Sequence, residues 1–189
     1  AMREAIAVAV ANTPQRMAEY TQAPDSRAGA PRADLYLKFL VEELKPRIDA
    51  AYRTLPGREH TALIGSSLGG LVSLYAGVAA WQTFGLIGGV SPVVGWGGHD
   101  LEKRYQQADA AHLPLRIWID MGTAEDAADV GPDSRHIREL RRFRAVLESR
   151  GYAVGKNLGY QEDAGAPHNE AAWARRLPDI LRFLLPPER

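Results

Sequence analysis

Residues 61–70 read Thr-Ala-Leu-Ile-Gly-Ser-Ser-Leu-Gly-Gly, and an apolar run through Leu71, Leu74, Tyr75 and Val78 follows at once. The short apolar stretch 61–65 predicts a buried strand, and the spacing after Gly70 predicts a helix. No loop separates the two, so the chain turns sharply from strand to helix. Gly65-Ser66-Ser67-Leu68-Gly69 fits G-x-S-x-G, the pattern of a serine on a strained strand-to-helix turn whose flanking glycines avoid clashes. That geometry exposes the Ser67 hydroxyl at the carboxyl end of the sheet. There it sits beside the positive end of the following helix, where the Leu68 N–H can meet a developing oxyanion. Ser66 lies next to it as a candidate substrate contact. The plain alternative is a Gly-rich turn bearing a solvated serine.

Outward from this turn, apolar runs alternate with helical patterns, which predicts βαβ units and a mostly parallel sheet with helices on both faces. Strands are expected at 6–10 (IAVAV), 84–90, 115–120 (LRIWID) and, weakly, 157–161. Helices are expected at 34–51, capped by Asp34 and kinked by Pro46, at 135–150, closed by Gly151, and at 171–185, packing Trp173, Leu177, Ile180, Leu181 and Leu184. Residues 21–32 and 95–98 read as loops. In the second of these, Trp96 is a candidate pocket residue, though an exposed tryptophan is an equal reading. No linker or repeat divides the chain, so 1–189 is expected to be one domain.

The 189 residues carry 23 basic and 23 acidic side chains, a formal net charge of zero. That balance argues against binding nucleic acid through bulk charge. No apolar run is long enough to span a bilayer and no signal segment is visible, so the expectation is a soluble, cytoplasmic chain away from membranes. The absence of cysteine removes disulfides, thiol nucleophiles and Cys-ligated metals. No nucleotide-binding or zincin motif and no metal ligand set is visible, and no cofactor is expected.

A serine hydroxyl needs a base, and the base needs an acid to orient it. Of the five histidines, His60 precedes the strand leading to Ser67 and His136 lies on the polar side of a helix. His112 falls in a connection, and His99 follows the Gly95 loop as a possible substrate contact. His168 differs. It stands in the loop between the last strand and the last helix, where an α/β-hydrolase keeps its base. Asp120, Glu125, Asp126 and Asp129 compete for the acid. Loop position favours Glu125, with Asp126 as the alternative, and the resulting order of serine, acid and histidine is that of α/β-hydrolases.

The motifs VANT, FLVEELKP, IGSSLGGL, SPVVGW, GTAED and PHNEAAW together resemble the esterase family of α/β-hydrolases that includes enterochelin esterase-like proteins, S-formylglutathione hydrolases and feruloyl esterases. The resemblance runs over nearly the whole chain. It implies an α/β-hydrolase fold, no cofactor, Ser67 as nucleophile, His168 as base, and Glu125 as acid at the end of G-x-x-[DE]. Relatives carry further strands ahead of IAVAV and a loop that supplies a second oxyanion-hole N–H. Neither precedes residue 6 here, so the fold is expected to be N-terminally shortened, with Ala1 read as an expression scar. Losing one oxyanion donor typically costs about 10²–10³ in rate. An uncovered sheet edge invites pairing, so a homo-oligomer is expected. The expected function is hydrolysis of small, short-chain acyl esters by a serine carboxylesterase. The alternative is a catalytically weak or silent domain acting through binding or assembly, and a thioesterase or acyl transferase is a third reading.

Overall fold

Among the described residues four parallel strands lie side by side in chain order: β1 (Ala62–Ser66), β2 (Leu86–Val90), β3 (Arg116–Ala124) and β4 (Leu158–Pro167). The computed structural model describes residues 2–109 and 116–187; His112 and Leu115, the expected start of the LRIWID strand, lie outside the described residues. Successive side chains of a strand point to opposite faces. In β3, Ile117, Ile119 and Met121 join one core and Trp118 the other. Ile87 faces the first core, and Leu86 and Val90 face the second. The sheet is therefore covered on both sides, as the unbroken apolar runs require.

The first core is covered by α2 (Ala33–Phe39), α4 (Leu68–Ala79), α5 (Trp96–Gln107) and α6 (Arg135–Ser149), and the second by α7 (Glu170–Leu184). In α6 the buried stripe is Ile137, Leu140, Phe143, Val146 and Leu147, with arginines outside. The helix expected over 34–51 is present in three parts: α2, a π-helical turn (Leu40–Leu44), and α3 (Lys45–Ala51), which contains Pro46. Proline has no N–H to give to the carbonyl four residues back, and the wider turn falls immediately ahead of it. Asp34 does not cap this helix; its carboxylate accepts the Tyr75 hydroxyl at 2.5 Å. A short helix, α1 (Arg16–Glu19), precedes these. No helix among the described residues is long and apolar enough to cross a membrane.

Two further expectations are corrected. Residues 6–10 form no strand: Ile6 is 50% and Val8 45% exposed, and only Val10 packs on the core. An apolar extended run becomes a strand only when a neighbour accepts its ladder bonds. Among the described residues β1 pairs with β2 alone and lies at the sheet's edge. The second correction concerns 95–98, which opens a helix. Gly97, Gly98 and His99 adopt left-handed φ of 58°, 64° and 62°, and regular turns then run to Gln107. This helix buries only Trp96, Leu101, Glu102 and Tyr105, too sparse a stripe to read from sequence.

Candidate active site

The turn after β1 has the geometry that G-x-S-x-G predicts. Ser67 has φ 58° and ψ −122°, outside the regions open to most side chains. A Cβ on Gly65 would come within 2.5 Å of the Gly69 backbone, so glycine is required there. Gly69 itself is under no such pressure, since its Cβ would meet only the Tyr20 ring at 4.0 Å; the second tight glycine is Gly70, 3.1 Å from the Gly65 carbonyl. Ser67 occupies the N-cap of α4, yet its hydroxyl makes no capping bond. Leu68 is the first residue of that helix, so its N–H is one of the donors a helix leaves unpaired. Ser66 ends β1, half-buried.

Ser67, Ser91, Glu125 and His168 are each the first residue after β1, β2, β3 and β4 respectively. Val90 pairs with Asp120, so β3 continues four residues, about 13 Å, past the end of β2 before Glu125 begins. β4 runs alongside it, with a register shift between Gly122 and Ala124. The overrun brings Glu125 Oε2 into a short hydrogen bond with His168 Nδ1. Gly122 makes this approach possible, because a Cβ there would lie 2.1 Å from the Ala166 carbonyl oxygen and 2.8 Å from Glu125 Oε1. The His168 ring stands edge-on to Trp173, with centroids 4.9 Å apart, and Asn169 caps α7 by accepting the Ala172 N–H. With Nδ1 engaged, Nε2 is the nitrogen left to take a proton. Among the described residues Ser67 Oγ makes no hydrogen bond with His168, and such bonds often tighten only once substrate is bound.

The Glu125 side chain is 1% exposed. Burial raises its pKa, but hydrogen bonds from His168, the Ser91 hydroxyl and the Gly122 N–H outweigh that, so it lies below its ordinary value. Asp120 behaves oppositely: burial outweighs Arg176, Trp118 and the Ser91 N–H, and its pKa is raised. The other acidic candidates are engaged away from His168. Asp126 accepts the Ala128 N–H and Asp129 the Arg135 N–H, while Asp120 accepts from Trp118 Nε1 and the Ser91 N–H.

Trp96 is corrected from pocket residue to core. It is 2% exposed, its Nε1 donates to the Ala23 carbonyl at 3.0 Å, and Arg27 lies 4.3 Å over its ring. The stretch 21–32 folds over it, where sequence alone reads two independent loops. His99 Nδ1 pairs with Glu102 and His60 Nδ1 with Arg3. Sequence reasoning passed over Ser91 and Arg176, which connect Glu125 to a buried polar network. A serine at a strand end and an arginine in an arginine-rich helix carry no local signal that would single them out.

The sequence model of the family described as "Putative esterase" matches residues 1–184. YbbA, an uncharacterized protein of Bacillus subtilis (strain 168), is 21% identical over 178 residues, which is 89% of this chain and 69% of that protein. Among solved structures, the BES protein from Bacillus cereus superposes with a TM-score of 0.68 at 18% identity, over 94% of this chain and 66% of that one. An IroE-like serine hydrolase from Shewanella oneidensis gives a TM-score of 0.67 at 20% identity, over 90% of this chain and 57% of that one. The chain thus spans under two thirds of the length of these two solved structures. Identities this low speak for the fold, an α/β-hydrolase type built on a parallel sheet. Because the family model runs from residue 1 to residue 184 over that fold, the chain belongs to this esterase family.

Proposed function

We propose that the chain hydrolyses small, short-chain acyl esters through an acyl-enzyme on Ser67. His168 Nε2 takes the Ser67 proton as Oγ attacks the ester carbonyl, and the Leu68 N–H receives the oxyanion. The alcohol leaves with the proton from His168. Water then attacks the acyl-serine, His168 again acting as base, and the acid is released with Ser67 restored. Glu125 holds the imidazole in one tautomer and stabilises the imidazolium as it forms. The observation that supports this reading best is the buried Glu125 carboxylate bonded to His168 Nδ1 at the ends of neighbouring strands.

The test is hydrolysis of p-nitrophenyl acetate and butyrate by the wild type, Ser67→Ala and His168→Ala, with circular dichroism on all three. Turnover should vanish in both variants while the fold persists. Turnover that survives Ser67→Ala refutes the proposal. A second reading, association without turnover, draws on the β1 edge, which among the described residues pairs on one side only, and separately on the exposed Ile6 and Val8. It predicts a folded wild type that an organophosphonate does not label at Ser67 and that elutes as a dimer.

A further inference from the structure

Ser91 follows β2 as Ser67, Glu125 and His168 follow their strands, yet the reaction steps above give it no part. Its φ of 42° lies in the left-handed region, which a non-glycine residue occupies at a cost. The strained backbone sends its N–H to the Asp120 carbonyl and to Asp120 Oδ1, both at 3.1 Å. Its hydroxyl lies between two side chains, 2.7 Å from an Arg176 terminal nitrogen and 2.6 Å from Glu125 Oε1. A guanidinium can only donate. Ser91 Oγ therefore accepts from Arg176, and its single proton is directed at Glu125. The Gly122 N–H reaches the same Oε1 at 2.6 Å. Oε1 holds two donors, which leaves Oε2 turned toward His168.

Arg176 is 2% exposed on a helix face that otherwise buries Ala172, Ile180 and Leu184. It pairs with Asp120 at 3.0 Å and Asp163 at 3.3 Å, and its Nε is buried without a partner among the described residues. An apolar residue would cover that position without the desolvation cost of a buried charge. We infer that Ser91 and Arg176 are positioning residues: Arg176 fixes the direction of the Ser91 hydroxyl, and that hydroxyl sets the carboxylate rotation that aims Glu125 Oε2 at His168 Nδ1. The inference rests on the proposed roles of Ser67, Glu125 and His168.

The test compares wild type, Ser67→Ala, Ser91→Ala, Ser91→Gly and Arg176→Lys by kcat and KM on p-nitrophenyl acetate, by melting temperature, and by the downfield proton NMR resonance of His168 Nδ1–H. Glycine tolerates the left-handed φ, so Ser91→Gly removes the hydroxyl without strain. Both Ser91 variants should lose roughly 10–100-fold in kcat, as expected for a lost hydrogen bond to a charged group, with KM unchanged. Their downfield resonance should broaden or move upfield. Arg176→Lys, which keeps a donor, should lose less than Ser91→Ala. Wild-type kcat and an unmoved resonance in both Ser91 variants, in an enzyme that Ser67→Ala inactivates, would overturn the inference. If Ser67→Ala stays active, the serine chemistry falls and this inference with it.

Discussion

Gly122→Ala should separate the acid from the base without removing either. The added Cβ would stand 2.1 Å from the Ala166 carbonyl oxygen and 2.8 Å from its carbon, where real contacts lie above 3 Å. These two atoms are backbone of β4, so the strand must withdraw by roughly 1 Å, and it carries His168 at its end; the third close atom is Glu125 Oε1 at 2.8 Å, so the acid is pushed from its own side as well. Overpacking of this kind costs about 1–3 kcal/mol in stability. In a domain of this size that lowers the melting temperature by about 2–4 °C for each kcal/mol. A 1 Å misplacement in an active site costs on the order of 10²-fold in rate. Initial rates on p-nitrophenyl acetate and thermal melts of both proteins give the two numbers. Gly69→Ala is the control for stability, because its Cβ meets only the Tyr20 ring at 4.0 Å. A Gly122→Ala protein with wild-type kcat would refute the claim that this glycine sets the acid–base approach.

Ser67→Gly should abolish turnover and yet raise stability by about 1 kcal/mol, because relief at φ 58° exceeds the entropy a glycine adds to the unfolded chain; denaturant melts of the two proteins measure it. Trp96→Ala should lower stability by about 3–5 kcal/mol with KM preserved in the surviving folded fraction, the reverse of what a pocket residue would give. Glu125 is held below its ordinary pKa, so its contribution to stability is complete above the unfolded carboxyl value of about 4.3 and is lost as pH falls through the lower folded value. The stability difference between wild type and Glu125→Gln should therefore shrink on acidification, read by urea titration between about pH 3 and 6.

Legibility in the sequence followed locality. The strand at 62–66, the elbow and α4 were readable because adjacent residues decide them: small apolar residues, glycine where Gly69 presses on Gly65, and a helical stripe after it. The run 6–10 has the same composition as a strand, but pairing depends on a neighbour that no local pattern reports, and it lies off the sheet. In the last helix the apolar spacing places Leu177 inward and gives Arg176 no role; the structure leaves Leu177 41% exposed and turns Arg176 in, because buried Asp120 and Ser91 meet it at the ends of β3 and β2. Trp96 beside three glycines reads as a loop aromatic until residues 21–32 are seen to close over it. Each of these failures depends on contacts between segments distant along the chain.

The overrun of β3 and β4 has a consequence for how such a chain can change over generations. The acid and the base are spaced by the pairing of two strands, and a single inserted residue in either would turn its following side chains to the opposite face. The same insertion in the excursion between β3 and α6 would be absorbed at the surface. Length variation should therefore accumulate in that excursion and stop at the strand pair, so the ancestry of this site would be recorded as two segments of invariant length among neighbours that drift.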